Sequence, residues 1–218
     1  MRVRLRHLML AILALGAAWS AQGAGRLGAS NLCYNATFDS TSTNGALDGW
    51  TTDYRWEGNS HYMANQDRIT VLPSYQGKKN VMHLDGQSGG YTDTKVECRP
   101  IPYEKGARYQ CSLDLESTTG PHIYFVGYKW QPGVRPYYDK APHPGDLRRI
   151  YKSAFRDHKV SGGAGGWKRF TFEFPMENPS ELAQQNLKEI RFFTVIVIIV
   201  ADAPGQAYVD DVKITRIK

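Results

Sequence analysis

Two acidic side chains near opposite ends of the sequence carry the first hint of chemistry. Asp39 closes the stretch Asn35-Ala36-Thr37-Phe38-Asp39, and Asp210 lies in Ala207-Tyr208-Val209-Asp210-Asp211-Val212-Lys213-Ile214. Where the first and last strands of an antiparallel sandwich are neighbours, these carboxylates approach and repel unless a cation or protons intervene. A hard cation with carboxylate and carbonyl oxygens meets that need, and calcium in a structural role fits best. The plainer reading is that Asp210 and Asp211 simply alternate in and out at a sheet edge.

The second group is aromatic. Tyr54, Trp56, Tyr124, Tyr128, Trp130, Tyr137 and Tyr138 are candidates for ligand contact, with Arg135 beside them. Flat rings bury the apolar C–H faces of sugars while hydroxyls seek polar partners. The alternating outer face of 122–130 is the first choice for such a surface. The competing reading packs the same rings beneath the segment that follows. Catalytic patterns are weak. No Gly-x-Ser-x-Gly elbow occurs, and Glu97, Asp114 and Glu173 sit on separate strands without the paired carboxylates of a glycosidase. His122, His143 and His158 lack metal-ligand spacing. The chain therefore reads as non-catalytic.

The elements that must position these residues are short strands. Period-2 alternation marks 108–115, with Tyr109, Cys111, Leu113 and Leu115 on one face, and also 122–130, 167–174, 190–200 and 207–217. Weaker signals cover 31–38, 68–72, 81–84 and 93–101. Turn residues separate the runs, and eight or more strands without crossover helices predict an antiparallel sandwich. From 192 to 200 nearly every residue is apolar, so that strand reads as buried on both faces. Between Trp130 and Trp167 the spacing predicts an insertion (about 131–166) carrying a short helix. Asp146 would be its N-cap, and Leu147, Ile150, Tyr151, Ala154 and Phe155 would share a face. Residues 128–160 hold eight basic and three acidic side chains, the one marked basic excess.

Composition places these strands in an exported chain. Arg2, Arg4 and Arg6 precede an apolar run over 8–18, and Ala21-Gln22-Gly23 offers a signal-peptidase site, so 1–23 reads as a signal peptide and 24–218 as one domain. The run is too short to span a bilayer, which needs about 20 residues. Removing three arginines takes Lys plus Arg from 27 to 24 against 21 acids, a net charge of +3. That near balance points to neither nucleic acid nor membrane binding. A secreted, periplasmic or extracellular location follows, where disulfides form. Cys98 and Cys111 flank the turn Glu104-Lys105-Gly106; a disulfide across a hairpin there and two buried thiols are equally good readings.

The ordered set of end motifs resembles the carbohydrate-binding modules of the jelly-roll, galactose-binding-like superfamily, especially families 4, 9, 16 and 22. Asn35 to Asp39 and Leu47-Asp48-Gly49-Trp50 match their opening. Gly77-Lys78-Lys79-Asn80-Val81-Met82-His83-Leu84 and Lys105-Gly106-Ala107-Arg108-Tyr109 match their inner turns, and Asp210-Asp211-Val212 their last strand. The resemblance implies an all-β jelly roll, a structural calcium at Asp39 and Asp210 with oxygens from 76–79, and a groove for a polysaccharide or surface glycan. It places Trp56, Tyr124, Tyr128, Trp130, Arg135 and Tyr137 as ligand contacts. The alternative function is an envelope or extracellular interaction module using the basic insertion. A hydrolase or lyase on the same sandwich is the third.

Overall fold

The computed structural model describes residues 30–41, 47–52, 66–86, 93–155 and 166–218. Residues 1–23, read from the sequence as a signal peptide, and Tyr54, Trp56 and His158 lie outside them. Among the described residues eleven strands form two antiparallel sheets. The first contains β1 (Trp50–Thr51), β4 (Thr94–Cys98), β10 (Phe192–Ile199), β7 (His122–Trp130) and β8 (Leu147–Phe155) in that spatial order, with β5 (Ile101–Pro102) also paired to β10. The second runs β2 (Ile69–Tyr75), β3 (Lys78–Asp85), β11 (Gln206–Arg216), β6 (Tyr109–Ser117), β9 (Lys168–Phe174). The chain is thus an all-β sandwich.

The main core lies between the sheets. Tyr109, Cys111, Leu113 and Leu115 are fully or almost fully buried on alternate positions of β6, as the alternation requires. They face Phe125, Val195 and Phe193 of the other sheet, and Phe125 stacks on Phe174 of the neighbouring β9 with ring centroids 5.1 Å apart. Ile190 packs over the backbone of β7 at Gly127, where a Cβ would collide with it. A larger residue there would displace Ile190 or bend the strand.

Three expectations change. The predicted insertion helix is the edge strand β8, paired with β7 along its whole length and with a bulge opposite Gly127 and Tyr128. Its apolar spacing satisfies both geometries, because Tyr151 and Phe155 turn into the main core while Leu147 and Ala154 serve the other face. β-branched and aromatic residues then favour the strand. The single helix of the described residues is α1 (Glu181–Glu189), capped by the Ser180 hydroxyl, which accepts from the Ala183 amide. It stands over β7 and β8. Residues 31–38 form no strand. Asn35 and Phe38 adopt positive φ, and the segment is tied to β11 by Leu32 N–H to Ile214 (2.8 Å) and by the Asn31 side chain to Val212 (2.8 Å). Finally, Cys98 lies on β4 and Cys111 on β6, in opposite sheets, so they do not face each other across a hairpin; both are buried thiols, as is Cys33.

Candidate ligand-binding surface

The outer face of the six-stranded sheet, where ligand contact was expected, is filled. Strand β10 is buried at all eight positions. Its outward residues Phe192, Ile196 and Ile198 join Tyr124, Val126, Tyr128 and Leu147 in a second apolar cluster. Burying each large apolar side chain contributes about 1.5–3 kcal/mol, which explains why the face is covered rather than left as an open groove. Tyr124 and Tyr128 retain only 8% and 7% exposure, so neither offers a ring face to a ligand.

Polar groups on this face are satisfied internally. The buried Glu97 carboxylate accepts from the Tyr128 hydroxyl (2.6 Å) and the Thr194 hydroxyl (2.6 Å). Pro144 and Leu147 close over it, with Thr51, Pro100 and Tyr128 around the same small space. The Lys152 ammonium sits 3.7 Å from the centroid of the Tyr124 ring, whose hydroxyl lies 3.0 Å from His122 Nδ1.

Ligand-accessible rings occur where β7 ends and 131–146 begins. Trp130 is half-buried and tilts against Tyr137 (centroids 4.8 Å, 54°), and Tyr138 meets it edge-on (6.0 Å, 88°). Both Trp130 and Tyr138 rest on Phe192. Tyr138 is 59% exposed. The segment holds its shape through a short network: Tyr137 donates to Asp146 (2.9 Å) and accepts from the His143 amide (2.7 Å), and His143 Nδ1 accepts from the Gly145 amide (3.1 Å). Tyr137, Asp139, Lys140 and His143 border an open concavity of about 690 Å³. Arg135 is exposed on the same segment. The structure therefore groups Trp130 and Tyr137 with the further candidate Tyr138, keeps Arg135 exposed on the same segment, and buries Tyr124 and Tyr128 in the sheet face beside them.

The two acids expected to hold calcium have other partners. Asp39 accepts from the Asn80 amide (2.5 Å) and the Thr37 hydroxyl (2.6 Å), and these bonds hold its carboxyl below the usual range. Asp210 accepts from the Lys78 ammonium (3.0 Å) and the Asp211 amide (2.7 Å). All four oxygens are thus engaged, and a cation at Asp210 would have to displace an ammonium. Among the described residues no three acidic, imidazole or thiol side chains converge on a metal position. This donor set does not fit calcium.

The acids considered for hydrolysis also lie apart. Glu97 is on the outer face of one sheet, whereas Asp114 and Glu173 are on the other, salt-bridged to Lys78 and Arg108 respectively. Among the described residues no helix is long and apolar enough to cross a membrane.

No protein-family model matches the chain, and no curated protein matches its sequence. Solved structures similar to it are mostly carbohydrate-binding modules. A family 16 module is 13% identical, with a TM-score of 0.46, over 85% of this chain and 99% of that one. A family 61 module in complex with β-1,4-galactotriose is 12% identical (TM-score 0.42) over 86% and 99%. An arabinose-bound α-L-arabinofuranosidase is 15% identical (TM-score 0.49) over 86% of this chain, which spans about a quarter (26%) of that enzyme. The sheet order above, rather than these likenesses, establishes the sandwich.

Proposed function

We propose that the chain is an exported, non-catalytic glycan-binding protein that holds a polysaccharide or surface glycan against Trp130, Tyr137 and Tyr138. The observation that carries this reading is the exposed Tyr138 ring, fixed beside two further rings on a hydrogen-bonded segment. Rings held in place before binding lose little freedom when a sugar stacks on them. Asp139, Lys140 and His143 border the same concavity as Tyr137 and offer polar groups to sugar hydroxyls, and Arg135 is exposed on the same segment. The separation of Glu97, Asp114 and Glu173 onto different faces supports a binding rather than a hydrolytic role.

The test is retention of the mature chain on insoluble polysaccharides and a glycan array, against Trp130→Ala and Tyr138→Ala. Retention lost in both variants supports the reading; a wild-type chain that binds no glycan overturns it. Export is tested by the mass of the secreted form, expected to begin at Ala24.

One observation favours a second reading. Arg135, Lys140, Arg148 and Arg149 are exposed along 131–149, a basic strip suited to an anionic polymer. Binding through it would weaken steeply with salt, whereas stacking on Trp130 would not.

A further inference from the structure

Across the outer face of the five-stranded sheet runs a row the sequence did not reveal. Tyr208 on β11 is paired with His83 on β3 and with Glu116 on β6. Leu115 pairs with Lys168 on β9, which brings the preceding Trp167 level with Glu116. His83 stacks on Tyr208 at 4.8 Å. Tyr75, the last residue of β2, lies over the row: its ring is 3.8 Å from Tyr208 and parallel to it within 6°, and it meets Trp167 edge-on at 6.1 Å.

Three buried polar atoms in this row have no hydrogen-bond partner among the described residues: Glu116 Oε2, Trp167 Nε1 and His83 Nε2. Glu116 is only 5% exposed, beside the similarly buried Tyr208 on the outer face of the sheet. An unmet buried polar group is costly, and native domains keep few of them. Glu116 and Trp167 both adjoin the Tyr75 ring, whose hydroxyl also bonds Glu116, while His83 lies on the opposite face of Tyr208.

We propose that Trp167, Glu116 and Tyr208 form a second sugar subsite, closed in the free protein by the Tyr75 ring and opened when a neutral sugar takes its place, with His83 backing the far face of Tyr208. The mixture of unmet groups selects the ligand class. The carboxylate oxygen accepts, the indole N–H donates, and a hydroxyl does both; an ammonium would leave the indole unmet. A cation would also face Lys78, whose Nζ lies 5.0 Å from the centroid of the Trp167 ring, and an acidic sugar would face Glu116, Asp114 and Asp210. Tyr75 already imitates the ligand, an apolar face on Tyr208 with a hydroxyl at its rim. Burial and the neighbouring Glu116 keep that hydroxyl protonated. The ring stands beside the Gln76-Gly77 turn, where both residues take positive φ, and its hydroxyl accepts from the exposed Gln76 side chain (3.2 Å).

This inference rests on the glycan-binding reading but uses different residues, so the two fail separately. Cellopentaose, xylopentaose and β-1,4-galactotriose are titrated against Trp130→Ala, Trp130→Ala/Tyr75→Ala, and the latter with Glu116→Gln added. Removing Tyr75 is expected to create binding of at least one of these sugars, and Glu116→Gln to weaken it about tenfold. In parallel, the Trp167 indole N–H resonance, assigned with Trp167→Phe, is followed in the unmodified chain and is expected to shift with the same sugar. If the Tyr75 variant does not fold, that resonance alone decides. No binding by a folded Tyr75 variant, or an unmoved Trp167 resonance across all three sugars, overturns the subsite.

Discussion

The Tyr128 hydroxyl donates to the Glu97 carboxylate across 2.6 Å on a sheet face where both side chains are buried. That bond consumes an aromatic residue and an acid that, on an open sheet, would be a sugar platform and its polar partner. Tyr128→Phe removes one donor from a buried carboxylate. It is expected to destabilise the protein by about 1–3 kcal/mol while leaving glycan retention unchanged. Urea unfolding and polysaccharide retention measured on the same variant check both parts; retention lost at unchanged stability would return the ligand to the sheet face.

Lys78 bridges Asp114 (2.6 Å) and Asp210 (3.0 Å), and Arg169 also reaches Asp114 (2.9 Å). Burial pushes the Asp114 carboxyl up, but the bonds from Lys78 and Arg169 outweigh it and hold it below its ordinary value. A carboxyl with a depressed folded pKa stabilises the fold above its unfolded value and loses that contribution as pH falls through the folded one. The stability of the wild-type chain is therefore expected to drop on acidification below about pH 4. Lys78→Met should be less stable at neutral pH and show a shallower acid limb. Equal acid limbs in the two proteins would remove Lys78 from this role.

Because Lys78 occupies the cation position at Asp210, calcium and chelator are expected to give the same melting temperature. In Lys78→Met two neighbouring carboxylates lose their ammonium, and calcium should then raise the melting temperature. A chelator-sensitive wild-type chain would show instead that the ion displaces the lysine.

Cys98 and Cys111 belong to opposite sheets and are buried, and burial pushes both thiols upward. Thiolate is the reactive form, so iodoacetamide is expected to leave Cys111 unmodified in the native chain and to label it in urea. Peptide mapping without reductant should contain no Cys98–Cys111 link. Finding one would require a different sheet assignment for β4 or β6.

The sandwich was legible because its inner strands alternate cleanly. Strand β7 was read to the residue, and the doubly apolar β10 announced the covered face. Strand β8 was not, since Leu147, Ile150, Tyr151, Ala154 and Phe155 fit an amphipathic helix and a strand with two apolar faces equally well; only pairing with β7 decides. The signal for α1 was local and present, with Pro179 and Ser180 preceding a run of helix formers, but its polarity hid it among turns. Tyr75, Glu116, Trp167 and Tyr208 are far apart in sequence and meet only through the register of five strands. No sequence pattern encodes that meeting.

Tyr138 separates a binding role from a structural one most sharply. At 59% exposure its ring rests on Phe192 without filling the core, so Tyr138→Ala is expected to change stability by no more than about 0.5 kcal/mol. An exposed ring that stacks on a sugar loses that contact entirely on truncation, and affinity should fall about tenfold or more. Trp130→Ala removes the support of both tyrosines and is expected to abolish retention, with some loss of stability because Trp130 also packs on Phe192. Tyr124→Phe serves as the internal control, since its ring is covered by Lys152 and keeps its place without the hydroxyl. Retention measured for the three variants beside their melting temperatures checks the assignment. Full retention by Tyr138→Ala together with loss in Tyr124→Phe would move the glycan from the 131–146 segment back to the sheet.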